Sequence, residues 1–313
     1  MPSEPSYLAD YADQYADDPR AAAVEWFRDA KYGLFLHYGL YSLLGRHEWV
    51  QLREKIYVDE YAKLADDFQA DAFNAEEIAD FALACEMKYI NLTTRHHDSF
   101  CLFETDETDF KSTNTPCGRD LIAELAGACA DRGLGLCLYY SHGRDWRHPH
   151  APNNDRWGGS ARPAYDPPEP TYAYGDEHDL QIYVEFMQSQ IDELLTNYGP
   201  LAAIWLDGIA VPLKGPGEEF RCQELYDFIH SKQPQVLVSY KQGYLGTEDF
   251  FAPERRAYNR FDEPMGPDRP GEICTTAGGG WGYTAGHDYA TADELWDILA
   301  DARANDVNLL MNV

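Results

Sequence analysis

A chain of 313 residues is long for one ordinary domain but normal for a single α/β barrel, and a 44% hydrophobic content supplies a large core. The net charge of −29 argues against nucleic acid or an anionic membrane as a partner, and no apolar run approaches the roughly 18 residues of a transmembrane helix. No leader pattern follows Met1-Pro2-Ser3-Glu4, and seven scattered cysteines, an odd number without a CxxC pair, read as buried thiols of a reducing compartment, so a cytoplasmic location is expected.

Residues 1–25 are acidic and Tyr-rich and predict an arm or helix packed on the body that 26–313 form. Strand patterns come next, at Tyr32–His37, Tyr89–Thr93, Gly135–Tyr140, Ala202–Leu206, Gln235–Tyr240, Phe250–Phe251, Ile273–Thr275 and Val307–Asn312. Most are short and continuously apolar, which suits strands buried on both faces; the sixth and seventh carry the thinnest patterns. Helical spacing marks Ala75–Cys85, Arg119–Asp131 with Gly133 as its stop, Asp179–Asn197, Glu218–His230 and Ala292–Ala304. The alternation predicts parallel strands with crossover helices, an α/β protein with a single (β/α)8-like TIM barrel. A Pro/Gly-rich insertion near 147–177 interrupts this rhythm, which then resumes, so the insertion reads as a long loop of the barrel and not as a linker. Arg outnumbers Lys 17 to 8, a balance compatible with a medium whose salt screens self-repulsion.

The run LAAIWLDG, Leu201 to Gly208, ends an apolar strand on a carboxylate. In a barrel that end of a strand is where catalytic groups sit, and an aspartate nucleophile suggests glycosidic bond chemistry. The competing role for Asp207 is a structural Asp-Gly turn. Other strand ends carry similar groups: His37 with His47-Glu48-Trp49, Thr94-Arg95-His96-His97-Asp98, Tyr139-Tyr140-Ser141, Lys241 with Glu248-Asp249, and Trp281-Gly282-Tyr283. Sugar recognition needs this mixture of aromatic faces for C–H surfaces and polar groups for hydroxyls. Tyr139 and Tyr140 alternate faces, so one points inward. The same alternation makes a shared metal on His96 and His97 the lesser reading, and Gly278-Gly279-Gly280 lacks the Lys-Ser/Thr of a phosphate loop.

The segments KYGLFLHYGLYS, HEWV, TRHHDSF, YYSHGRDW, WLDG, EICTT with WGY, and VNLLMNV resemble the catalytic domain of the glycoside hydrolase family 29 α-L-fucosidases, from about Trp26 to Val313. The resemblance implies a (β/α)8-like barrel, a retaining double displacement on a fucosylated glycan or glycoside, and no metal or other cofactor. It assigns the nucleophile to Asp207. It assigns sugar contacts to His37, Glu48, Trp49, His96, His97, Tyr139 or Tyr140, Trp205 and Trp281, with Lys241 where Arg is frequent. The acid/base varies within the family; Glu248 is expected, Asp249 next, and Glu254 or Glu272 stand as alternatives. Tyr38, Arg95 and Ser99 depart from the pattern. So does the chain's end at Val313 without the usual β-sandwich, which leaves a face that self-association would cover. A related glycosidase or transglycosidase, on an α-L-galactoside for example, and a silent sugar-binding homologue are the alternative readings.

Overall fold

A computed structural model describes residues 4–255, 265 and 269–313. Among these residues, seven strands form one parallel sheet: β1 Tyr32–Leu36, β2 Tyr89–Arg95, β3 Gly135–Ser141, β4 Ala203–Asp207, β5 Leu237–Tyr240, β6 Glu272–Thr276 and β7 Asn308–Asn312. Their order is β5-β4-β3-β2-β1-β7-β6. The first and last strands are therefore neighbours, with Tyr32 opposite Leu309 and Leu34 opposite Met311. Continuous apolar sequence produces this arrangement because both faces of nearly every strand are covered.

The predicted sixth strand, Phe250–Phe251, is not a regular strand. Phe251 makes an isolated parallel bridge to Gly271. Around it the chain bonds to both sheet edges: Asp249 N–H donates to the Val238 carbonyl at 2.8 Å, and Glu272 N–H donates to the Phe251 carbonyl at 2.8 Å. Regular pairing is broken by Lys241 at φ 49° and by Pro253, which has no N–H to give.

Helices α1 Pro19–Ala30, α2 Ala75–Ala84, α3 Leu121–Arg132, α4 Leu180–Asn197, α5 Cys222–Lys232 and α6 Ala292–Ala304 pack on the sheet. The predicted helix Glu218–His230 is split: a 3-10 turn at Gly217–Phe220 precedes α5, with Arg221 between them at φ 50°. In this segment the chain is helical from Ser6, and α1 continues past residue 25 to Ala30. Asp18 caps α1 by accepting from Arg20 and Ala21 N–H, ahead of Pro19.

Helix α1 seals the N-terminal ends of the strands. Trp26 and Phe27 pack against Tyr7, Tyr89 and Phe250. Gly135 starts β3 because a Cβ there would lie 2.4 Å from the Trp26 ring. Above this plug the sheet interior holds Phe35, Cys137, Tyr139 and Trp205, while a larger cluster joins the outer strand faces to the helices. All seven cysteines are free thiols; five are buried and Cys85 and Cys117 are half-buried. Among the described residues no helix is long and apolar enough to cross a membrane.

Candidate active site

A cavity of about 350 Å³ opens at the C-terminal ends of the strands. Strand parity decides much of its lining. On β1, Phe35 points inward and His37 comes two residues later; on β4, Trp205 and Asp207 do the same. On β3, Tyr139 enters the cavity, and Tyr140 faces outward, where its hydroxyl donates to Gln190 Oε1 at 2.8 Å. The expectation of Tyr140 as a sugar contact beside Tyr139 is thus corrected by the alternation itself. His96 and His97 both reach the cavity although they are sequence neighbours. The β2–β3 register shifts between Thr93 and Arg95, and the histidines lie just beyond the strand, so strict alternation no longer applies.

Asp207 has three partners in the cavity. Tyr139 Oη donates to Asp207 Oδ2 at 2.7 Å. His97 Nε2 lies 3.8 Å from the same oxygen, and Lys241 Nζ lies 3.6 Å from Oδ1. Burial alone would push this carboxyl up; the Lys241 ammonium first, with the Tyr139 hydroxyl and the Arg144 guanidinium, more than reverses that and holds it well below the usual carboxylate range. Lys241 also contacts Glu254 Oε1, and its ammonium lies 5.0 Å from the Trp205 ring centre and 5.7 Å from that of Trp281. Burial lowers the Lys241 ammonium, but the two carboxylates raise it further, so it stays charged. Gly208 is required after Asp207: it stands at φ 88°, and a Cβ there would meet Gly143 backbone at 2.9 Å.

The three histidines are neutral. Burial drives His37 down to about 3 despite its bond to Asn312, and burial likewise lowers His96 and His97. Asn312 Nδ2 donates to the Trp281 carbonyl, which turns its oxygen toward His37; His37 therefore donates from Nδ1 at 2.6 Å and keeps Nε2 as an acceptor. Ser141 Oγ donates to the Arg144 carbonyl at 2.7 Å and accepts from His97 Nδ1 at 2.5 Å, again leaving Nε2 as an acceptor. His96 Nδ1 is buried without a partner among the described residues. Such lone pairs suit hydroxyl donors. Trp49, His97 and Trp146 meet edge to face, and the Arg144 guanidinium covers the Trp49 ring at 5.1 Å. Glu48 lines the cavity and accepts from Gly282 N–H at 2.7 Å, which ties the Trp281 loop to it.

The expected acid/base residues lie elsewhere. Glu248 is 1% exposed. Its oxygens accept from Tyr226 Oη and from the N–H groups of Tyr244, Leu245 and Gly246, so it staples its own loop. Asp249 is held by Arg20, His230 and Val238 N–H. Neither lines the cavity. Glu272 is buried below it, between Tyr89 Oη and Trp205 Nε1. Of these four carboxyls, Glu254 lines the cavity, with its side chain 47% exposed. Arg144, Gln242, Ile209 and Ala210 are lining residues that the sequence reading passed over. Arg144 stands inside the YYSHGRDW segment, where a cation beside the aromatic pair was the available signal. No group of three His, Cys, Asp or Glu among the described residues is arranged to hold a metal ion.

A parallel α/β sheet with ionised, neutral-imidazole and aromatic groups converging at the C-terminal strand ends defines an α/β protein with a polar small-molecule pocket. The chain belongs to the alpha-L-fucosidase family, whose model matches residues 4–313. Alpha-L-fucosidase isoenzyme 1 from Paenibacillus thiaminolyticus is 34% identical in sequence, with a TM-score of 0.81 over 94% of this chain and 70% of that one. The alpha-L-fucosidase AlfC from Lactobacillus casei, solved with alpha-L-fucose product, is 29% identical, with a TM-score of 0.80 over 93% of this chain and 90% of that one. Putative alpha-L-fucosidase 1 of Oryza sativa subsp. japonica is 26% identical across 94% of this chain but 54% of its own length. The corresponding share for Alpha-L-fucosidase 1 of Arabidopsis thaliana is 48%, so the chain spans about half the length of these curated relatives.

Proposed function

We propose that this protein is a retaining α-L-fucosidase whose sheet completes a (β/α)8-like barrel, with Asp207 as nucleophile and Glu254 as acid/base. The observation that carries this reading is the Lys241 ammonium in contact with both carboxylates inside one cavity. Groups bridged by one ammonium have their nearest oxygens closer together than the roughly 6.5–9.5 Å of an inverting pair. Asp207, held ionised, attacks the anomeric carbon while the glycosidic C–O bond breaks. Glu254, which lines the cavity and is half-exposed, gives a proton to the departing oxygen. Water then attacks the glycosyl ester, Glu254 takes its proton, and the sugar leaves with its configuration retained. His37, His96 and His97 accept from sugar hydroxyls, and Trp281 packs on the C–H face.

The test is hydrolysis of an aryl α-L-fucoside by wild type and Asp207→Ala. The variant should lose roughly 10³-fold or more in kcat, and azide should restore turnover as β-fucosyl azide. An Asp207→Ala protein that folds and keeps its rate overturns the assignment. Wild type that binds L-fucose without turnover points to the silent sugar-binding reading.

A further inference from the structure

We propose that Arg95, Ser99 and Asp145 form a positioning unit that sets His97 and Arg144 against Asp207; the inference rests on the reading of Asp207 as nucleophile. Arg95 ends β2 with its side chain fully buried, and its guanidinium pairs with Asp145 Oδ2 in the loop after β3. Ser99 Oγ donates to the same oxygen at 2.8 Å. The other oxygen, Oδ1, accepts from Arg147 and His148 N–H at 2.8 and 2.7 Å. Asp145 thus fixes the turn after Arg144 from both sides.

Two links carry this to the cavity. Arg95 Nη2 donates to the Ser141 carbonyl, and Ser141 Oγ is the atom that holds both His97 Nδ1 and the Arg144 carbonyl. Trp146 N–H, next to Asp145, donates to the His97 carbonyl at 2.7 Å. The ring and backbone of His97 are therefore gripped by one loop, and that loop is anchored by the buried ion pair. Desolvation offsets much of the attraction in such a pair, so its stability value is small; a planar guanidinium with four fixed contacts gives geometry instead. Ser99 makes the same point. It sits at φ 72°, a region that favours glycine, yet carries a side chain whose hydroxyl is spent on Asp145.

The experiment compares wild type with Arg95→Lys, Ser99→Gly, Ser141→Ala and the double variant Arg95→Lys/Ser141→Ala. It reads kcat and KM on an aryl α-L-fucoside, Tm, and the imidazole ¹⁵N resonances of His97. Ser99→Gly relaxes a strained backbone, so its Tm should stay at or above wild type while kcat falls several-fold. Arg95→Lys should lose up to roughly a hundredfold in kcat, the cost of a misplacement of about 1 Å at reacting groups, with His97 resonances displaced. On the Ser141→Ala background Arg95→Lys should add little, because both act through one link. A lowered Tm with unchanged kcat, KM and His97 resonances overturns the proposal, as does full additivity of the double variant. Absence of turnover in wild type would instead refute the fucosidase reading, and the His97 resonances would still decide the positioning role.

Discussion

At the N-terminal ends of the strands, Trp26 and Phe27 fill the sheet interior against Tyr7, Tyr89 and Phe250 and leave little but rings in contact with rings. At the C-terminal ends the same interior opens into a cavity where Asp207, Lys241 and three histidines face space. The same apolar strands run to both ends, so hydrophobicity of the strand does not separate them. The chain that flanks the strands does: a helix with two large aromatics covers one end, and loops rich in groups with unfilled hydrogen-bond capacity surround the other. Substitutions at the first end should therefore cost stability, and at the second, chemistry.

The sharpest form of this comparison lies within a single loop. Glu254→Ala should lower kcat by roughly 10² to 10⁴, the usual contribution of a general acid/base, with little change in Tm and partial recovery in azide. Glu248→Ala, six residues earlier, should do the reverse. It strips three backbone N–H groups and the Tyr226 hydroxyl of their acceptor, at a cost of a few kcal/mol, while kcat per folded molecule stays near wild type. Kinetics on an aryl fucoside beside urea unfolding separates the two. An inactive but stable Glu248→Ala protein would return the acid/base role to that residue.

Trp26→Ala tests the sealed end. Removing a buried indole costs about 3–5 kcal/mol, and the cavity lies at the other end of the strands. Unfolding should shift strongly while KM and kcat, measured well below Tm, hold. A large change in KM would show that the plug sets cavity geometry and that the two ends are not independent.

These differences mark how far the sequence could be read. The WLDG and HHD blocks were legible because a carboxylate or imidazole at the end of an apolar run has few other places to go. The inward choice between Tyr139 and Tyr140 needed register, which the alternation poses but does not resolve. Position along the chain ranks Glu248 ahead of Glu254, whereas Glu254 lines the cavity; both sit in irregular chain after β5, and their difference is made by whether backbone N–H groups fold around the carboxylate. Phe250–Phe251 read as a strand on its apolar pair, whereas Pro253 and the left-handed Lys241 break the ladder on either side. Arg144 reached the cavity through a loop anchored by Arg95 and Asp145, a contact between elements that no local pattern encodes.

The smallest expected effect falls where the two ends meet. Glu272 is buried inside the sheet, with Tyr89 Oη, part of the plug cluster, donating to Oε2 at 2.5 Å and Trp205 Nε1, part of the cavity wall, donating to Oε1 at 3.0 Å. Burial raises this carboxyl from 4.5 to about 7, against the lowering effect of both hydrogen bonds. The folded state therefore binds the Glu272 proton more tightly than the unfolded chain, and this residue's contribution falls as pH rises from 4.5 through 7. At about 1.4 kcal/mol per pH unit, the loss is roughly 3 kcal/mol. In Glu272→Gln, the amide oxygen accepts from Trp205 and the amide nitrogen donates to Tyr89, with no charge to desolvate. Urea unfolding should give matching stabilities near pH 4.5, with the Gln variant more stable by about 3 kcal/mol at pH 8. Parallel curves for the two proteins would mean that Glu272 stays ionised in the sheet interior. In that case the charged chemistry of the cavity would extend down to the plug, and the contrast between the two ends would not hold.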